Sequence, residues 1–360
     1  MRRTTKIISL CIILSTLLFA CAKDSERILS DPTISTVMII AEPRGFQKGI
    51  VYTSWWNGEY SSPESDTTIS DIIKPLGVNW VSVVVTCYQE SIKATDIICQ
   101  PESKTPTDED LSHVIQVIHD NGLKVVLKPH IDISDNNIHW RGQIGFGNDE
   151  KAWRSWFSDY SNFINHYAKL AESNEVDYFV VGTELVQTSH RGSEWREVIR
   201  QVRTFYSGPV TYAANAGEVF DVSWWDELDA IGVDAYYPLS ENNQPSVAEL
   251  KKSWEPIINQ LGQFSSRWNK PIIITEIGYQ SKDGTNRMAS NQESVSVVDL
   301  QEQADCYQAL LESFNGHDWW HGIFWWNWST DPNQGGPVDD DFTPHNKPAE
   351  GVLRSFYESH

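Results

Sequence analysis

The sequence predicts an α/β fold, a single (β/α)8 or TIM barrel over residues 46–360. Three observations carry this. Short apolar, β-branched runs recur eight times, at 48–53, 79–86, 124–131, 176–182, 209–214, 230–236, 271–277 and 321–326, with helical patterns between them. The runs lack polar alternation, which marks strands buried on both faces, as in a parallel sheet. The first strand-to-helix turn, "VYTSWWNGEYSS", carries no glycine-rich phosphate cradle, which disfavours an open doubly wound sheet.

The clearest helix is "TPTDEDLSHVIQVIHDNG". Thr107 caps its start, Asp110 stands at the capping-box position, Leu111, Val114, Ile115 and Ile118 form one stripe, and Gly122 ends it. "EKAWRSWFSDYSNFINHYAKLAESN", "GSEWREVIRQVRTFY", "VAELKKSWEPIINQLGQFSSRW", "DLQEQADCYQALLESF" and the tail "KPAEGVLRSFYES" repeat the amphipathic theme.

The first residues, "MRRTTKIISLCIILSTLLFACAKDSE", combine a basic start, an apolar stretch of signal-peptide length and small residues before a cysteine. "LFAC" resembles a bacterial lipobox, so residues 1–21 are expected to be a lipoprotein leader with Cys21 as the lipid-bearing residue. Residues 22–45 read as linker. "KDSE" after Cys21 loosely resembles an acidic surface-export tag. The protein is therefore expected in a Gram-negative cell envelope, lipid-anchored at the outer membrane or cell surface, as a monomer. A net charge of −21 makes nucleic acid and anionic membrane surfaces unexpected as partners, because an acidic field repels phosphate. Sixteen Trp and thirteen Tyr suit either a large aromatic core or stacking on sugar faces. The remaining cysteines, Cys87, Cys99 and Cys306, have no zinc-site spacing, so no metal or cofactor is expected. Cys87 and Cys99 flank one loop. They are either a disulfide in an oxidising compartment or two buried thiols.

In such a barrel the chemistry gathers at the C-terminal ends of the strands. Run 1 ends in Trp55 and Trp56, run 3 in His130 and Asp132, run 4 in Glu184 and run 5 in Asn215. Run 6 ends in Asp234, Tyr236 and Tyr237, run 7 in Glu276, and run 8 in Trp325, Trp326 and Asn327. A carboxylate closing a buried strand is costly unless it faces a cleft. Two such glutamates, on strands 4 and 7, form the pair a retaining glycosidase needs: an acid that protonates the leaving oxygen and an anion that attacks the anomeric carbon. No basic residue stands in either strand end, so neither glutamate is expected to be tied up in an ion pair. The other mouth residues carry two readings each. Tyr236 is a core residue or a donor to Glu276. His130 is structural, or contacts sugar, or supports Glu184. Of Trp325 and Trp326, and of Trp55 and Trp56, one faces the lumen and the other is core. Asp339, Asp340 and Asp341 are a solvated loop, a calcium site or a substrate wall.

The segments "KGIVYTSWW", "VDYFVVGTEL", "LDAIGVDAYYPL", "PIIITEIGY" and "GIFWWNWSTDP" resemble glycoside hydrolase family 113, within the clan of barrels with catalytic Glu on strands 4 and 7. The resemblance implies Glu184 as acid/base, Glu276 as nucleophile, and a β-mannanase-like activity on a β-linked poly- or oligosaccharide. One departure from the wider clan is Thr183, where many members place Asn to hold the sugar 2-hydroxyl. That hydroxyl is axial in mannose, so a changed contact suits mannosides. The competing readings are action on another β-hexoside, transglycosylation, and a non-catalytic glycan-binding lipoprotein. A metal-dependent hydrolase would have only His130, Asp132 and Asp234 as ligands.

Overall fold

The computed structural model describes residues 45–100, 104–135, 138–287 and 297–359. The expected leader with Cys21, and the linker before Gly45, lie outside the described residues. The eight strands are β1 Gln47–Thr53, β2 Trp80–Gln89, β3 Lys124–Ile133, β4 Tyr178–Thr183, β5 Val210–Asn215, β6 Ile231–Asp234, β7 Ile272–Ile277 and β8 Trp320–Ser329. They close in sequence order into one barrel, each parallel to its neighbours. The helices are α1 Pro63–Thr67, α2 Asp108–Asp120, α3 Glu150–Ser173, α4 Val186–Ser189, α5 Gly192–Phe205, α6 Val247–Trp268, α7 Leu300–Phe314 and α8 Pro348–Ser359. The β5–β6 connection has no α-helix, only the 3-10 turn Trp225–Glu227.

Local rules explain the boundaries. Thr107 and Asp110 form both arms of the capping box that starts α2, and the expected stripe is its buried face. β2 and β3 run longer than their apolar patterns, in unbroken register from Trp80↔Lys124 to Gln89↔Ile133. Cys87, inside β2, forms a disulfide with Cys99 in the loop that follows, which decides between the two readings of those cysteines. β6 stops earlier than its pattern. The chain folds back at Ala235, where Tyr237 N–H donates to its carbonyl at 2.8 Å, and Pro238 follows without an N–H.

Two apolar layers share the strands. Val51, Trp80, Val84, Val126, Tyr178, Val180, Ile273 and Phe324 fill the lumen, and a larger core packs between barrel and helices. Each buried side chain of this size contributes about 1.5–3 kcal/mol. The register shifts near the mouth between Val180 and Thr183 on β4 and between Ile274 and Ile277 on β7, and also at the base of β7 between Ile272 and Ile273. On β7, Ile273 faces the lumen while Ile274 and Ile277 both face the helices. Strict alternation would send Glu276 outward with Ile274. The irregularity turns it into the lumen instead, a common use of β-bulges beside active sites.

Candidate active site

Glu276 closes β7 and is held on both oxygens. Tyr236 donates its hydroxyl to Oε1 at 2.8 Å, and Lys128 Nζ donates to Oε2 at 2.6 Å. Lys128 also reaches both oxygens of Asp234 at 3.2 Å, while Thr275 donates to Asp234 Oδ1 at 2.7 Å. Two donors aimed at one carboxyl group suit the anion, which can only accept. Burial works against the Lys128 charge, but Asp234 and Glu276 outweigh it and hold the ammonium above its ordinary range. Burial pushes Asp234 well up, against the pull of Lys128. Burial and the adjacent Glu276 lift Tyr236 well above a free phenol, so it remains a donor.

Glu184 follows β4 directly and takes a left-handed backbone, φ +52°, a conformation that costs a non-glycine residue free energy and clusters at functional sites. Asn215, at the end of β5, donates Nδ2 to Glu184 Oε1 at 2.9 Å. Arg141 Nη1 and Trp140 Nε1 both approach Oε2 at 3.4 Å. Arg141 is anchored by Asp132, 2.5 Å from Nη2, and by the Ile131 carbonyl. Trp140 is exposed at the mouth, its ring folded over Gly142, where any Cβ would overlap it.

These contacts correct the expectation that both glutamates lack cationic partners. The cations come from β3 and the loop after it, not from the strands that carry the glutamates. Lys128, Arg141 and Trp140 are site residues that sequence reasoning missed. A lysine inside the buried run "KVVLKPHID" was the one available signal, because a lysine is almost never fully buried unless paired.

The other expected residues divide. Asn215 and Tyr236 stand beside the glutamates, and Tyr236 is the donor rather than a core residue. Asp234 is wholly buried behind Glu276 and is committed to Lys128 and Thr275, which corrects its reading as a substrate contact. Trp325 is likewise corrected: it faces the helices, wholly buried, stacked on Tyr307 at 3.7 Å. Trp326, one residue on, is half-buried on the lumen side and meets Trp55 edge-on at 6.2 Å. Neither Trp55 nor Trp56 is core, since Trp55 is half-buried and Trp56 exposed. His130 is buried, and burial with the nearby Arg141 and Lys128 pushes its pKa well down, so it is neutral.

Of the aspartates of the β8 loop, Asp340 and Asp341 are exposed, as a solvated loop would have them, while Asp339 is half-buried. Lys347 Nζ bonds Asp339 at 2.6 Å and Ser281 at 2.8 Å, and Lys282 pairs with Asp340 at 3.3 Å. Asp132 and Asp234, the acidic ligands a metal hydrolase would need, are occupied by Arg141 and Lys128. Among the described residues, one acidic trio, Asp283, Asp299 and Glu302, lies close enough to share a cation. The Glu302 oxygens already accept from Gly284 and Asn286 backbone N–H.

The sequence profile of Glycoside Hydrolase Family 113 matches residues 52–347. The chain belongs to Glycoside Hydrolase Family 113. A solved GH113 β-1,4-mannanase is 29% identical, with 88% of this chain and 100% of that one covered and a TM-score of 0.80. The GH113 β-mannanase AaManA from Alicyclobacillus acidocaldarius, in complex with ManMIm, is 28% identical, with 88% and 98% covered and a TM-score of 0.79. A β-glucuronidase from Ruminococcus gnavus, 12% identical over 87% of this chain and 50% of its own, shares the fold at a TM-score of 0.57. No curated protein sequence matches the chain. This family-113 chain is a mannanase-like glycoside hydrolase on a TIM barrel.

Proposed function

We propose that this protein is a retaining β-glycosidase that cleaves β-1,4-mannan or manno-oligosaccharides by double displacement. The observation that carries the reading is the unequal treatment of two carboxyl groups at one barrel mouth. Glu276 is gripped by Lys128 and Tyr236, whereas Glu184 receives one close amide donor and two longer approaches. In the first step a Glu276 oxygen attacks the anomeric carbon. The glycosidic C–O bond breaks, its electron pair goes to the leaving oxygen, and that oxygen takes the Glu184 proton. In the second, Glu184 removes a proton from water, and the hydroxide oxygen displaces Glu276 from the sugar. Trp326 and Trp55 supply flat apolar surface beside the cleaved sugar. Mannoside preference is supported by the β-mannanase relatives and by Thr183, whose hydroxyl is buried without a partner among the described residues. A product screen on mannan, glucan and xylan, with the anomer of the first product read by NMR, tests both parts. Release of β-configured manno-oligosaccharides from mannan is expected. Comparable turnover of cello- and manno-oligosaccharides would remove the substrate argument.

The same proposal includes the anchor: Cys21 is acylated and tethers the enzyme to the cell envelope, facing an oxidising compartment. The lipobox-like "LFAC" and the Cys87–Cys99 disulfide support it. A Cys21→Ser chain should leave the membrane fraction or accumulate as precursor. Mature, membrane-bound Cys21→Ser protein would contradict acylation.

A further inference from the structure

Glu218 lies in the loop after β5 and is 2% exposed. It takes no part in the chemistry described above, and no cation pairs with it among the described residues. Its two oxygens serve two separate arms. Oε1 accepts from the Tyr212 hydroxyl at 2.8 Å, and that hydroxyl in turn accepts from the N–H of Leu185 at 2.7 Å. Leu185 N–H belongs to the peptide that follows Glu184, the residue held at φ +52°. Oε2 accepts from the backbone N–H of Asn215 at 3.1 Å. Asn215 Oδ1 accepts from Gly217 N–H at 3.0 Å, which turns the amide so that Nδ2 meets Glu184 Oε1 at 2.9 Å. One buried carboxyl group thus supports the backbone of Glu184 from one side and its side chain from the other.

We infer that Glu218 is the positioning residue of the acid/base: it fixes the Glu184 carboxyl group at the leaving oxygen through Tyr212 and Asn215. The inference rests on the acid/base role proposed for Glu184. Burial lifts the Glu218 carboxyl to about 7, against the donors Ser189, Tyr212 and Asn215. Either protonation state leaves an oxygen to accept from Asn215.

The leaving group separates positioning from plain structure. A displaced acid slows cleavage of a poor leaving group and leaves a good one almost untouched, because only the former needs the proton. Glu218→Met removes both arms at similar length. Its kcat/KM on mannotriose is expected to fall about 10- to 100-fold, the cost of a displacement near 1 Å, with less than about threefold change on 2,4-dinitrophenyl β-mannoside. Glu218→Gln keeps an acceptor for Asn215 N–H and should recover most of the loss. Tyr212→Phe keeps the ring, removes one arm and should show the same selective loss in weaker form, which covers a Glu218→Met chain that does not fold. Equal losses on both substrates in Glu218→Met and Tyr212→Phe, or no loss on mannotriose, would overturn the inference. Glu184→Ala run in parallel keeps the two readings apart. If it lacks the leaving-group dependence, the acid/base assignment fails. If it shows the dependence and the Glu218 and Tyr212 variants do not, only the positioning role fails.

Discussion

Lys128→Met removes the cation that, among the described residues, Glu276 and Asp234 share. The side chains of Lys128, Asp234 and Glu276 are 0%, 0% and 10% exposed. The two carboxyl groups are left facing each other with little water to replace the ammonium. Removing one partner of a buried ion pair costs about 3–5 kcal/mol, because the remaining charge is uncompensated. One of the carboxylates then relieves the repulsion by taking up a proton, and when it is Glu276 the attacking anion is lost. At 1.36 kcal/mol per decade, a penalty of about 3 kcal/mol on that anion lowers kcat/KM by roughly 100-fold. Urea unfolding and the rate on an aryl β-mannoside measure the two effects. Adding Asp234→Asn to Lys128→Met removes one of the stranded charges and should restore part of the stability. A Lys128→Met protein within about 1 kcal/mol of the wild type and equally active would refute the ion-pair reasoning, since an exposed pair is worth about that little.

Tyr236→Phe deletes a hydrogen bond to a charged group, worth about 1.5–3 kcal/mol, so kcat/KM should fall roughly 10- to 100-fold while the fold, read by its melting curve, persists. The Glu218 carboxyl rises from its ordinary 4.5 to about 7 on folding, so the native state binds the extra proton between these values. Wild-type stability should therefore decline as pH rises from about 4.5 to 7 relative to Glu218→Gln, and denaturant melts across that range should show the difference curve. Reduction of Cys87–Cys99, whose separation is 12 residues, should cost about 2–3 kcal/mol in a denaturant titration with and without reductant.

The barrel was legible because its signal is periodic. Eight apolar runs needed no knowledge of which residues meet. Glu184 and Glu276 were legible for a related reason: a carboxylate ending a buried run conflicts with burial, and only a cleft resolves the conflict. Their partners were not, since Lys128 lies 148 residues before Glu276 and Arg141 lies 43 before Glu184. Searching each glutamate's own strand end for a cation could find neither. The same reading held that one of Trp325 and Trp326 faces the lumen, because adjacent strand residues point opposite ways, but not which one. That choice depends on the register of β8 against β1 and β7, which shifts on both sides. Glu218 gave no sequence signal, because an acidic residue in a loop after a strand ordinarily reads as solvated.

Azide rescue of Glu276→Ala and Glu184→Ala tests the central assignment most directly, because each mutant leaves a different face of the sugar open. With Glu276 removed, azide takes the empty place on the face it vacates, so Glu276→Ala should regain activity and form the α-mannosyl azide, inverted relative to the substrate. With Glu184 removed, an activated aryl mannoside still forms the intermediate on Glu276, and azide should then release the β-mannosyl azide, retained. Product configuration by NMR decides. The opposite pairing of mutant and product would reverse the two roles, and near-wild-type turnover by either mutant without azide would contradict the two-carboxylate mechanism.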